Sequence, residues 1–449
     1  MSTQMPAASM VLPVIRILAV LACLLAAQAA QAVSLLRDAG MERSLRELAR
    51  PVLEAAGLST GRVKILIVDD ASLNAFVING DTIYIHSGLL MRLGRAEQLQ
   101  AVIAHEAAHI ANGHISRRMA NARAAGRASA LGMLLAGAAA AAGADGRAVA
   151  GIAIGSSGSA QRLFFSHTRA EEASADQSAI RYMLRAGIDT RGKLELIDIF
   201  RGQEALSAGR QDPYNRTHPL TSDRYRAIQA LVGASASGAA PADGTAAYYF
   251  ARAQGVLSAF KRAPGWTLRR ATGSSDVDMM RRAVAHHRQA DTGRATAEIA
   301  RVVAARPNDP YYRDLQGQIL LESRQVGAAV DAYARAVNLA PNDPLILGAY
   351  GRALLAQDTA GSNARALDVL IRARGRDAQD ARILRDLGLA YARAGNPGMA
   401  ALSGAERLAL RGSIGEAATL ARRAAGLLPT GSTGWQRAQD IIRTAELSR

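Results

Sequence analysis

The amino-acid sequence predicts an α+β chain that is mostly helical, with a small β-sheet in its first part and a solenoid of paired helices in its second. Two observations carry this prediction. Short β-branched runs surround the pair Asn79-Gly80, which is typical of a hairpin turn. Beyond residue 247 the apolar residues have helical spacing, and the motif Pro-Asn-Asp-Pro recurs after 34 residues.

The first part of the chain alternates between helical and extended patterns. Apolar spacing predicts a helix over residues 36–57, and the run VKILIVDD predicts a strand over 63–70. The β-rich arms within 74–90 predict the hairpin. A second helix is expected from Gly88 to about residue 115, with a stop near Gly113.

The amino-terminal residues have the pattern of a secretory signal peptide. Arg16 is the only charged residue among the first 36, an apolar run follows it, and the tripeptide Ala-Gln-Ala ends at Ala32. We therefore expect a signal peptide at 1–32 and a periplasmic protein. An uncleaved anchor and a lipoprotein joined through Cys23 are the alternatives. Cys23 is the only cysteine, and a chain without thiols suits an oxidising compartment.

The positive charge is concentrated in the second half of the chain. The net charge is +16; residues 33–246 carry 24 basic and 20 acidic side chains, whereas residues 247–449 carry 29 and 18. No basic patch interleaved with aromatic residues is present, so nucleic acid is not an expected partner. Peripheral contact with an anionic membrane surface or an acidic partner is more natural, and solvated helix faces are the alternative.

Two segments differ from their surroundings in composition. Residues 128–160 are rich in Ala and Gly and only weakly hydrophobic, which favours a flap or an apolar surface over a membrane span. Residues 233–246 are small, polar and contain Pro, as in a linker. The sequence therefore divides into a first domain at 33–232 and a helical domain at 247–449.

The helical domain has the period of the tetratricopeptide repeat. Pro307 and Pro341 are 34 residues apart, and the residues between them include small side chains and an aromatic one where paired helices must approach closely. These are Gly317, Ala329, Tyr333 and Ala336. A weaker copy contains Gly351 and Ala366, and further helical segments follow at 387–395 and 415–429. A generic helical array is the alternative.

The first domain contains the pattern HExxH, which predicts a metal site. His105 and His109 lie four residues apart, about 40° around an α-helix, so both imidazoles can bind one ion. Glu106 is rotated by about 100° from His105, which suits a general base beside the ion. Small residues between the histidines favour a buried helix. Two histidines on an ordinary core helix are the alternative.

The expected third ligand is Glu172. Glu172 and Asp176 lie one helical turn apart, so Glu172 can complete a His-His-Glu site while Asp176 orients a ligating histidine. Glu171 is the rival ligand but lacks such a partner. His114 is one residue out of register for the extended zincin pattern and is expected to point away from the site as a helix-end residue.

These motifs, followed by THPLTSDR at 217–224, resemble the CAAX-protease and HtpX peptidase group, whose soluble periplasmic members carry carboxy-terminal tetratricopeptide repeats. The resemblance implies a zincin-type peptidase domain that binds one zinc ion. It implies that His218 acts as an extra ligand or as an oxyanion stabiliser, with Arg224 close by. It also implies that the segment Asn74, Ala75 and Phe76 forms a strand edge that binds substrate.

The function that follows is a zinc endopeptidase that degrades misfolded or unassembled envelope proteins, including those of the outer membrane. The repeat domain would recruit substrates or protein-assembly machinery through a concave surface. The alternative is a tetratricopeptide adaptor or chaperone in which the peptidase fold is latent or a scaffold. The intact Glu106 argues against the scaffold.

Overall fold

The computed structural model describes residues 34–447 except 79, 119, 121–167, 207–209 and 236–243. Several sequence predictions lie outside the described residues. These are the signal peptide at 1–32 with Cys23, the turn residue Asn79, the Ala- and Gly-rich segment at 128–160, and most of the linker at 233–246.

A four-stranded mixed sheet lies in the first part of the chain. Its strands are β1 (Leu35–Leu36), β2 (Lys64–Val68), β3 (Ala75–Val77) and β4 (Thr82–His86), in the order β1-β2-β4-β3. Strands β3 and β4 are antiparallel and adjacent, with Phe76 opposite Tyr84, which confirms the predicted hairpin. Strand β2 pairs in parallel with β4, and the short β1 was not predicted. The order leaves β3 at one edge of the sheet.

The helix predicted from Gly88 to residue 115 is two helices, α2 (Ser87–Arg92) and α3 (Ala96–Ala111). The chain is extended at Leu93, where ψ is 144°, and this interrupts the helical turn. Gly88 is required because a Cβ there would lie 2.0 Å from the carbonyl oxygen of Ala71. The predicted stop is confirmed, since α3 ends at Ala111 and Gly113 has a φ of +71°.

Helix α3 is the buried centre of this region. It packs against α1 (Ala39–Ala55), α4 (Arg169–Arg185) and α5 (Arg191–Asp198), and also contacts β3 and β4. Its alanines at 101, 104, 107 and 108 are fully buried and allow the neighbouring helices to approach closely. Two further helices complete the region, α6 (Pro213–Thr217) and α7 (Ser222–Ser235).

The rest of the described chain is helical, as predicted. The helices are α8 (Gly244–Lys261), α9 (Pro264–Leu268), α10 (Asp276–Arg288), α11 (Thr292–Ala305), α12 (Pro310–Glu322), α13 (Val326–Leu339), α14 (Pro344–Gln357), α15 (Ala360–Arg376), α16 (Ala381–Arg393), α17 (Pro397–Leu410), α18 (Ile414–Leu427) and α19 (Thr433–Leu447). Among them, α12 packs on α13 and α14 on α15, which gives the predicted solenoid of helix pairs.

The repeat is visible in the contacts. A Cβ at Gly317 would lie 2.8 Å from the ring of Tyr333, and a Cβ at Gly351 would lie 2.5 Å from Leu370. The small residue at each position therefore permits one helix of the pair to contact the other. Asp309 and Asp343, 34 residues apart, each cap the helix that follows by accepting hydrogen bonds from its first backbone N–H groups.

The chain forms two compact units, residues 34–378 and 379–449. Within the first unit one large hydrophobic core extends from Met41 to Ile319 and includes Val256 and Leu257 of α8, and smaller clusters lie beside it. The predicted domain bounds, 33–232 and 247–449, follow a change in sequence composition. The packing of the described residues continues across the linker between them. None of the helices in the described ranges combines the length and hydropathy needed to cross a membrane.

Candidate metal centre

Two helices and one loop bring the predicted site residues together. Helix α3 carries His105 and His109, and α4 carries Glu172 and Asp176, each pair separated by one turn. His218 follows α6. All five side chains are buried, with exposed fractions of 2% or less. The helix–helix contact between α3 and α4 therefore forms the predicted constellation.

Four side chains form a cluster whose ligand atoms all lie within 4.8 Å of one another: His105, His109, Glu172 and His218. The Nε2 atoms of His105 and His109 are 3.2 Å apart. They lie 3.4 and 3.3 Å from the two carboxylate oxygens of Glu172. His218 Nδ1 is 3.3 Å from His105 Nε2 and 2.9 Å from Glu172 Oε1.

The donor set fits a metal ion. Asp176 Oδ1 lies 3.0 Å from His105 Nδ1, so the proton of this imidazole is on Nδ1 and its Nε2 presents a lone pair to the cluster. That lone pair faces the Nε2 of His109 at 3.2 Å and a carboxylate oxygen of Glu172. Converging lone pairs repel one another unless a cation lies between them. Two imidazoles and one carboxylate, here His105, His109 and Glu172, are the ligands of catalytic metal sites that keep a fourth position open.

Asp176 is held by two buried cations. Arg224 Nε donates to Asp176 Oδ2, and Arg224 Nη2 donates to Oδ1 at 3.1 Å. Lys193 Nζ lies 2.9 Å from the same Oδ1 and 3.3 Å from His105 Nδ1. Burial would raise the pKa of Asp176, but Lys193 and Arg224 hold that pKa well below its usual range. Asp176 is therefore a fixed acceptor for the His105 N–H.

Arg224 also joins the cluster to the loop that carries His218. Its Nη1 lies 2.8 Å from Glu172 Oε2 and donates to the backbone carbonyls of His218 and Pro219 at 3.1 and 3.0 Å. Burial would raise the pKa of Glu172, but the nearby His218 and Arg224 hold it well below its usual range. The contacts of Arg224 make it a positioning residue for Glu172 and His218.

Glu106 faces the cluster without being part of it. Both carboxylate oxygens are buried and accept no hydrogen bond from the described residues. The nearest ionisable contact is His218 Nε2, 3.5 Å from Glu106 Oε1. Burial would lower the pKa of His218, but Glu172 and Glu106 raise it overall. A buried carboxylate with open acceptor sites beside a ligand cluster is suited to take up a proton.

Glu171 and His114, the two residues considered as alternative ligands, lie outside the four-residue cluster. Glu171 accepts a hydrogen bond from the backbone N–H of Thr168 and forms the capping box at the start of α4. His114 does not point away from the site, contrary to the prediction. It is 2% exposed, and its Nδ1 lies 2.9 Å from His109 Nδ1. The prediction assumed a straight helix, whereas the chain turns at Gly113.

Sequence reasoning missed Lys193 and Tyr214. Lys193 is fully buried on α5, and the ring of Tyr214 on α6 lies 4.8 Å from the His218 ring at a tilt of 37°. Burial, together with Glu106, raises the pKa of Tyr214 well above its usual value. Neither residue belongs to a recognisable motif, and a lysine in an amphipathic helix is normally read as exposed. The close approach of the preceding Gly192 to Glu97, which brings α5 against α3, is visible only in the structure.

The predicted substrate edge lies beside α3, the helix that carries His105 and His109. Strand β3 contacts α3 and pairs with β4 on one side. Because His86 N donates to Asn74 O at 2.9 Å, the alternation of an antiparallel ladder directs the backbone groups of Ala75 and Val77 away from β4. Phe76 stacks on Tyr84 with a ring distance of 5.3 Å. Ala75 is fully buried and Val77 is only 5% exposed, so these backbone groups would have to become accessible before a strand could be added.

Comparison with known proteins identifies the fold around this site. Residues 36–232 match the model of the family described as Peptidase family M48. These residues form a domain of peptidase family M48. This M48 domain contains every residue of the cluster, and the predicted relationship to this peptidase group is confirmed for the domain.

Two relatives of this chain carry the same descriptive name. A protein of Vibrio cholerae named for a beta-barrel assembly-enhancing protease is 32% identical over 162 residues, which is 35% of this chain and 32% of the relative. The beta-barrel assembly-enhancing protease of Escherichia coli K12 is 24% identical over 190 residues, or 42% of this chain and 38% of the relative. The alignment thus spans about a third of these relatives.

Among solved structures, the chain is similar to MamA proteins. The match to MamA residues 41 to the end from Desulfovibrio magneticus RS-1 has 19% identity and a TM-score of 0.32. It covers 36% of this chain and 94% of that chain.

We expect Lys193→Met to destabilise the protein because it removes a buried cation from Asp176 and leaves Arg224 as the remaining one. Breaking a buried ion pair on one side lowers the free energy of unfolding by about 3 kcal/mol. Urea denaturation of the metal-free protein measures this. The matched control is Lys64→Met, whose half-exposed ammonium lies 3.9 Å from Asp377 and should contribute less than about 0.5 kcal/mol. Equal stability of the two variants would contradict the expectation.

Proposed function

We propose that this protein is a zinc-dependent endopeptidase that degrades misfolded or unassembled proteins of the bacterial envelope, including outer-membrane proteins. The observation that carries the proposal is the buried His105, His109 and Glu172 cluster with Glu106 beside it. The M48 domain and the names of its relatives support the reaction class and the type of substrate.

His105, His109 and Glu172 would hold one zinc ion per chain. When bound, zinc supplies a Lewis acid that polarises the scissile carbonyl and acidifies water. Asp176 keeps the His105 proton on Nδ1, and Arg224 and Lys193 keep Asp176 in place. The buried position of all these groups strengthens their electrostatic interactions.

Glu106 is the proposed general base. Its open carboxylate oxygens can accept a proton from the attacking water and later deliver it to the leaving amine. Peptide-bond hydrolysis requires both transfers, because the amine is a poor leaving group until it is protonated. One carboxylate can perform both in turn, since the first transfer produces the acid that the second one needs.

The proposed substrate is an extended peptide that adds as a strand beside β3. The outward backbone groups of Ala75 and Val77 would pair with it, while Asn74 and Phe76 border the same edge. A loop of a folded protein cannot readily become a strand, so this geometry favours unfolded chains. A periplasmic location, in which the signal peptide is removed, would give the enzyme such clients.

The repeats are the proposed recruitment module. Their paired helices present a stacked surface suited to protein ligands, either substrates or the machinery that assembles envelope proteins. The net positive charge beyond residue 247 would also permit peripheral contact with an anionic membrane surface.

His218 is the proposed latch of the resting enzyme. Its imidazole lies between Glu106, at 3.5 Å, and the ligand atoms of His105 and Glu172. In this position it fills the space between the base and the ligands, so substrate or a partner would have to displace it. A role in stabilising the oxyanion is the competing assignment for the same side chain.

We expect Glu106→Gln to bind zinc and fold normally but to lose at least ~100-fold in the rate of casein cleavage, because an amide cannot accept the proton. Purified wild-type protein should cleave casein and should stop when a chelator is added. Near-normal cleavage by a zinc-loaded Glu106→Gln variant would refute the base assignment. If the wild type shows no chelator-sensitive cleavage, the adaptor alternative gains support.

We expect Glu172→Ala to lose more zinc affinity than Asp176→Asn, because it removes a ligand and not a supporting group. The Asp176 variant should lose roughly 10–100-fold. Competition with a chromophoric chelator measures both. Glu171→Ala is the matched control and should keep zinc, since Glu171 caps α4. If Glu172→Ala binds zinc with wild-type affinity, Glu172 is not the third ligand.

We expect His218→Ala to raise basal casein cleavage, because the latch is removed while the proposed ligands and base stay in place. Initial rates at saturating zinc measure the effect. A fall in rate would instead assign His218 to oxyanion stabilisation. An unchanged rate with unchanged zinc affinity would remove both roles.

A further inference from the structure

Each histidine of the HExxH motif has a second ring nitrogen that faces away from the ligand cluster. In His105 this atom, Nδ1, contacts Asp176 at 3.0 Å. In His109 the Nδ1 atom contacts the Nδ1 of His114 at 2.9 Å. The two rings are 5.0 Å apart and nearly perpendicular, at 70°. The mechanism described above makes no use of this imidazole pair.

The geometry determines where the protons of the pair lie. The Nε2 of His109 faces Glu172 Oε1 at 3.3 Å and His105 Nε2 at 3.2 Å, so it must present a lone pair to bind a cation. The proton of neutral His109 is then on Nδ1 and is donated to His114. His114 accepts through its own Nδ1 and carries its proton on Nε2. One hydrogen bond thus sets the tautomer of both rings.

The chain builds this contact with a sharp turn. Helix α3 ends at Ala111, and the left-handed φ of +71° at Gly113 returns the chain so that His114 packs behind His109. The Asn112 amide donates to Ser174 and Ser178 of α4, each at 3.1 Å, and holds the turn in place. His114 is only 2% exposed, so solvent does not compete for its nitrogen.

We propose that His114 is a positioning residue of the metal centre, which holds the tautomer and the ring orientation of His109 by accepting its Nδ1 hydrogen bond. This inference rests on the proposed function, because it takes His109 as a metal ligand. The two histidines are then supported unequally. His105 donates its N–H to a carboxylate, whereas His109 donates its N–H to a neutral imidazole. Because a neutral acceptor attracts the proton less strongly, the Nε2 of His109 is the less basic of the two ligand atoms.

The test compares His114→Asn with His114→Leu, two side chains of similar size. The Oδ1 of Asn takes the place of the histidine Nδ1 and can accept the hydrogen bond, whereas the corresponding carbon of Leu cannot. Zinc dissociation constants are measured by chelator competition, and the ligand field is measured by the visible absorption of the Co²⁺-loaded protein. Asn112→Ala tests the turn separately, because it removes the two hydrogen bonds to α4 and leaves both imidazoles in the chain.

We expect the Leu variant to bind zinc about 10–100-fold more weakly and to show an altered Co²⁺ spectrum. The Asn variant should retain the wild-type spectrum and lose only a few-fold in affinity, and Asn112→Ala, which keeps both imidazoles, should lose less affinity than the Leu variant. Equal losses in the Asn and Leu variants would overturn the proposal and assign His114 to packing. If the Leu variant does not fold, the Asn variant decides the test. An altered Co²⁺ spectrum in His114→Asn then overturns the proposal.

The wild-type protein separates this inference from the proposed function. Failure of the wild type to bind zinc or Co²⁺ would refute the metal centre itself. Wild-type affinity and an unaltered spectrum in His114→Leu would refute only the role of His114.

Discussion

The burial of three carboxylates in one small volume is the constraint on which the rest of the site depends. Glu106, Glu172 and Asp176 are each nearly inaccessible to solvent, and an unpaired charge at such depth would be strongly destabilising. Arg224 and Lys193 compensate Asp176, and Arg224 also contacts Glu172. Lys193 lies on α5 and Arg224 lies on α7. The packing of these two helices beside α3 and α4 therefore neutralises Asp176 and Glu172.

This constraint also explains the division of roles among the carboxylates. Asp176 makes contacts on both oxygens and is a fixed acceptor. Glu172 contacts imidazoles and Arg224, which suits a ligand. Glu106 accepts no hydrogen bond from the described residues and is the carboxylate with capacity for a proton. Chemically identical groups thus differ because their partners differ.

The sequence predicted the parts of the structure that depend on local spacing. The hairpin at 74–90 and the pairing of His105 with His109 and of Glu172 with Asp176 follow from periodicities of two or 3.6 residues. The stop of α3 near Gly113 and the 34-residue repeat follow from turn residues and recurring motifs, whereas the break before Ala96 was not predicted. Lys193 could not be predicted because a compensating cation can come from any neighbouring helix. His114 was misjudged because its direction depends on one left-handed residue, Gly113, beyond the end of the helix.

The continuity of the hydrophobic core beyond the M48 domain has a consequence for how such a protein can evolve. Gln254 of α8 donates to the backbone carbonyls of Leu90 and Leu93, at the break between α2 and α3, and α8 also packs on α1. The first helix after the linker therefore completes the fold of the preceding domain. Recombination at the linker would separate α8 from its partners, so α8 and the M48 domain are expected to be inherited together.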